Sequence, residues 1–133
     1  METLANTLRG EAPLRIGDVD LKIGIEFAAL AKLSRAIKAE SLEEIYRRLL
    51  GFEPWAVSCA LRCFTLHDEG VDEAAATALR AINRLSAADE PAWHAAIETA
   101  MAGHVDAGHR LRADRPLSDE VDDAVLGKPG SLS

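Results

Sequence analysis

Apolar and polar residues alternate one for one from Leu14 to Ile23, broken only at Gly17-Asp18. Leu14 and Ile16 point one way and Arg15 the other. After the break, Val19, Leu21 and Ile23 alternate with Asp20 and Lys22. A period of two marks a half-buried sheet, so this stretch predicts a tight β-hairpin. Gly at the first turn position accepts the positive φ that a primed two-residue turn requires. A lone hairpin is marginal in water, so its apolar face needs a lid.

The spacing then changes to three and four, the helical period. A first helix is expected over 25–39, with Phe27, Leu30, Leu33 and Ile37 as its stripe and Lys32, Arg35 and Lys38 on a basic side. Ser41 and Glu44 form a capping box for a second helix over 42–50, which buries Leu42, Ile45 and Leu49 and turns Arg47 and Arg48 to water. Gly51 is expected to end it in the left-handed conformation. Pro54 opens a third helix reaching about His67. Its positions are apolar nearly all round, which makes it the core helix. A fourth helix follows Asp72-Glu73, with Ala75, Leu79, Ile82 and Leu85 inward. A fifth begins at Pro91, with Trp93, Ile97, Ala100, Met101 and His104 inward.

The pattern fails from Gly108, where charges and glycines replace the stripe. The expected fold is mainly α (α+β): an N-terminal hairpin, then a bundle of about five short helices. Residues 1–12 are read as a flexible N-terminus, 13–107 as one domain and 108–133 as a mostly disordered tail.

Charge narrows the partners. The chain of 133 residues carries a formal −7. Residues 1–50 balance eight basic against eight acidic side chains, whereas 51–107 hold three against nine. A surface like that middle section repels phosphate, so nucleic acid is not an expected partner. No apolar run approaches the roughly 18–20 residues of a membrane span. The N-terminal residues lack the basic and apolar regions of a secretory signal, so a cytoplasmic location is expected.

The sharpest chemical constellation is Cys59, Cys63 and His67, four apart on the expected third helix. Three ligands strung over two turns span about 12 Å, too far for one ion to reach them all. Core packing is the better reading, and both thiols are expected reduced. His104 and His109 are five apart and miss the helical metal register. The acidic pairs mostly open helices or lie in loops, where capping and the helix dipole explain them. No phosphate-binding loop, dinucleotide fingerprint or nucleophile elbow is present. No enzyme activity, cofactor or metal is expected.

One further pattern carries a resemblance. Gly10-Glu11 leads into the hairpin. Ile25-Glu26-Phe27-Ala28-Ala29-Leu30-Ala31-Lys32-Leu33 follows, and then Ser41-Leu42-Glu43-Glu44-Ile45-Tyr46-Arg47-Arg48-Leu49. Over about residues 10–85 this order resembles the small tail proteins of siphophage-like particles and gene transfer agents. That family is labelled both tail assembly chaperone and tail tube protein. Its hairpin turn is often Asp-Gly or Asn-Gly, where this chain has Gly-Asp.

The resemblance implies a non-enzymatic chaperone that coats a tape-measure-type protein during tail building. The alternatives are a structural tube or connector subunit and a small protein-binding adaptor with no phage link. The hairpin edges and the basic side of the first helix are the most two-faced elements. They give Arg15, Lys22, Lys32 and Arg35 as the expected protein-binding residues.

Overall fold

The computed structural model describes residues 9–114, with side chains through 108. The hairpin forms as β1 (Glu11–Ile16) and β2 (Val19–Gly24), antiparallel, with Ile16 opposite Val19 across the Gly17-Asp18 turn. Gly17 has φ 57° and Asp18 is not in the positive-φ region, the pattern of a type II′ turn. Ala12, Leu14, Ile16, Val19 and Ile23 are buried, as period-two alternation requires.

Among the described residues five α-helices follow: α1 (Phe27–Ile37), α2 (Leu42–Leu50), α3 (Pro54–Phe64), α4 (Val71–Arg84) and α5 (Glu90–Asp114). One strand was not legible in the sequence. α3 stops at Phe64 rather than near His67, and Thr65–Leu66 form β3, paired antiparallel to Lys22 and Ile23. The sheet order is β1-β2-β3, so β2 is central. Thr65 turns extended and its hydroxyl donates to the Leu61 carbonyl at 2.6 Å, closing the helix end.

The strand edges follow from the register. A pair flanking a two-residue turn is hydrogen-bonded, so Ile16–Val19, Leu14–Leu21 and Ala12–Ile23 carry the ladder. Glu11, Pro13 and Arg15 then turn their backbone groups outward. Pro13 has no N–H to offer there, which blunts the free edge of β1.

Other boundaries and faces differ from expectation. β1 begins at Glu11 and Ala12 is buried, so order starts ahead of residue 13. Ile25 lies before α1, buried, donating its N–H to Gly10 O at 2.8 Å. Phe27 is not inward but 81% exposed, because it sits at the first position of α1. Leu42, at the same position of α2, is also exposed. Half of the expected capping box forms: Ser41 Oγ accepts from Glu44 N at 3.0 Å, but Glu44 Oε1 accepts the Glu40 N–H at 3.2 Å rather than that of Ser41.

Arg48 does not face water. Its guanidinium donates to Ile37 O at 2.8 Å and pairs with Glu53 at 3.0 Å, tying α2 to the end of α1. Gly51 keeps a right-handed conformation, and Phe52 takes the left-handed one instead (φ 56°).

α3 is the core helix, burying Val57, Cys59, Ala60, Leu61 and Phe64. Trp55, at its second position, stays 63% exposed. α4 is rotated from the expected face. It buries Thr77, Ala78 and Ala81, half-buries Ile82 and Leu85, and leaves Ala75 and Leu79 exposed. Small side chains on the inner face let the helix approach α3 and the sheet closely.

α5 buries Trp93, Ala96, Ile97, Ala100 and Met101. Trp93 Nε1 donates to Leu49 O at 2.9 Å, so the largest core side chain has its polar atom satisfied by the end of α2. α5 continues through Gly108 to Asp114, past the expected domain end at 107. The remainder of the expected tail lies outside the described residues. No helix among the described residues is long and apolar enough to cross a membrane.

Candidate functional site

A groove of about 670 Å³ lies between α4, α5 and the middle of the hairpin. From the sheet it is lined by Ala12 and the cross-strand pair Leu14 and Leu21. α4 contributes Thr77 and Arg80. α5 contributes Ala92, Ala95, Ala96 and Thr99, which recur at three and four residues and so share one face. The apolar floor comes from the hairpin alternation. The low walls come from helix positions occupied by Ala and Thr.

Charge gathers at its borders. Arg15 Nη1 reaches both carboxylate oxygens of Asp20, at 2.9 and 3.0 Å. Lys22 is only 8% exposed, and its ammonium lies 3.4 Å from Glu11 and 3.9 Å from Asp68. Arg80 reaches only a hydroxyl, Thr77 Oγ1 at 3.4 Å, and makes no ion pair among the described residues.

The four expected binding residues therefore separate. Arg15 and Lys22 border the groove, each held by carboxylates of its own chain. Lys32 and Arg35 are exposed on α1 and do not line it. Sequence reasoning missed Arg80 and the Ala-Thr face of α5. The recurrence of Ala92, Ala95, Ala96 and Thr99 was visible, but small residues read equally well as packing.

The thiols belong to the core. Burial pushes the Cys59 thiol above its ordinary range, with Arg62 partly opposing. Burial also raises Cys63, helped by Cys59 and opposed by Lys32. Neither favours the thiolate that metal binding or nucleophilic attack needs. His67 leaves the helix with β3, so it is not the third ligand of a helical row.

It instead meets Glu69 and Glu73, their ligand atoms all within 4.8 Å of one another. His67 Nδ1 already accepts the Glu69 backbone N–H at 3.0 Å. A neutral ring in that state carries its proton on Nε2, leaving no free nitrogen lone pair for a cation. Both glutamates are exposed. The cluster closes the β3–α4 turn.

No family model, curated protein or solved structure matches the chain.

Proposed function

We propose that this protein is a non-enzymatic, cytoplasmic tail assembly chaperone of a phage-like particle or gene transfer agent, holding a tape-measure-type protein while the tail is built. The observation that carries the reading is the groove between α4 and α5, open to solvent and walled by short side chains. Such a surface suits a second polypeptide, whose side chains supply the bulk that the walls lack. Two aromatic side chains at the starts of α1 and α3, Phe27 and Trp55, add apolar surface of the type that anchors protein contacts. The order of elements over residues 10–85, which resembles the small tail proteins, supplies the particular partner.

The test is co-expression with a tape-measure-type protein from the same genome. A chaperone keeps that protein soluble and co-purifies with it, yet is missing from finished particles by mass spectrometry. Stoichiometric presence in the particles would favour a structural tube or connector subunit instead. Failure to bind any tail polypeptide would sink the reading.

A further inference from the structure

Resting on that protein-binding reading, we infer that the α4–α5 groove docks an amphipathic helix whose polar edge presents a carboxylate to Arg80. Three observations select this occupant. Strand addition is interrupted at β1, where Pro13 breaks the outward row of backbone donors; on the other side β3 is only two residues long and covers β2 at Lys22 and Ile23, leaving just residues 19–21 of β2 open. An extended partner therefore finds no continuous edge to extend.

The α5 wall is made for close approach by a helix. Ala92, Ala95, Ala96 and Thr99 span two turns, about 10 Å of helix axis. Half-buried Leu21 on the floor, backed by buried Leu14, offers apolar contact to the inward face of the incoming helix.

Charge decides the sign of its polar edge. Of the three cations that line the groove, Arg15 and Lys22 are already paired. Among the described residues, Arg80 alone of the three pairs with no carboxylate. Its guanidinium offers a fork that matches a carboxylate in two-point contact. The occupant is thus an amphipathic helix with a carboxylate at the position that faces Arg80.

The test uses the full chain, labelled with ¹⁵N, and two hydrocarbon-stapled peptides of about 14 residues, some four helical turns. Both carry leucines at helical spacing on one face. One has glutamates beside that face and the other lysines. The glutamate peptide is expected to shift the amide signals of Thr77, Arg80, Ala92, Ala95, Ala96 and Thr99. Arg80→Glu should weaken it about tenfold and turn the preference toward the lysine peptide. Ala95→Trp, at an exposed position, should block both peptides while leaving the circular dichroism unchanged. Equal affinity for the two peptides, shifts confined to α1, or no binding would overturn the inference. The tape-measure-type protein separates the two levels. If wild type captures it and both variants do so equally, the groove is wrong and the chaperone reading stands. If wild type fails to capture it, that reading itself falls.

Discussion

Asp89 Oδ1 accepts the backbone N–H of Gly17 at 3.1 Å, joining the hairpin turn to the α4–α5 connection across 72 residues of sequence. The other carboxylate oxygen accepts Ser86 N at 2.9 Å, capping the short 3-10 turn over Ala87–Asp89. Beside it, Arg84 reaches Asp18 at 3.6 Å. The turn that ends the floor of the groove is thereby fixed to the linker between the two helices that form its walls.

Removing that carboxylate should loosen the assembly. Asp89→Ala strands two backbone donors, one of them in a tightly packed turn, and should cost about 2 kcal/mol. Asp89→Asn keeps one acceptor and should cost less. Urea denaturation of the three proteins checks the order; equal midpoints would show that the link contributes nothing.

Gly10 is required by backbone geometry at a position whose carbonyl also accepts the Ile25 N–H. It has φ 87°, and a Cβ there would stand 3.0 Å from Ile25 O and 3.3 Å from His104 Cα. Gly10→Ala should destabilise by about 1–3 kcal/mol through strain and backbone displacement. A melting temperature unchanged from wild type would contradict this.

The two tryptophans should report opposite environments. Trp93 is fully buried and donates to Leu49 O, whereas Trp55 is largely in water. Trp93→Phe leaves the Leu49 carbonyl without that donor and should cost about 1–3 kcal/mol. Its remaining emission, from Trp55, should be red-shifted and readily quenched by acrylamide. Trp55→Phe should leave stability nearly unchanged and emission blue-shifted. The reverse assignment would contradict the packing described.

The thiols give a pH dependence with a definite sign. Both are raised in the folded chain, chiefly by burial. The unfolded chain therefore releases these protons first. Their contribution to stability is complete below the ordinary thiol pKa of about 8.5 and is lost as pH climbs from there through the folded values. Replacing both with Ala should flatten that part of the alkaline limb, read as the difference between two denaturation series. Identical slopes would exclude the thiols as its source.

Much of the fold was legible because local pattern and tertiary burial agree. The hairpin turn, the Ser41 cap, the core helix and the Trp93 face all follow from periods and capping chemistry. Legibility failed where partners distant in sequence decide. Thr65–Leu66 is too short to show alternation and exists as a strand only because β2 offers an edge. The face of α4 was misread because Leu79 outweighs Ala78 and Ala81 on any hydrophobicity scale. Packing chose the smaller residues for their reach. Arg48 reads as solvated, yet the carbonyl end of α1 recruits it. The groove itself was invisible, since it needs the hairpin and two helices brought together.

The most direct measurement is hydrogen–deuterium exchange of the full chain, alone and in complex with the tape-measure-type protein. The account predicts slowed exchange on binding over Thr77–Arg80 and Ala92–Thr99, with the Lys32–Arg35 side of α1 unaffected. Protection confined to the Lys32–Arg35 side of α1, or none anywhere, would contradict it.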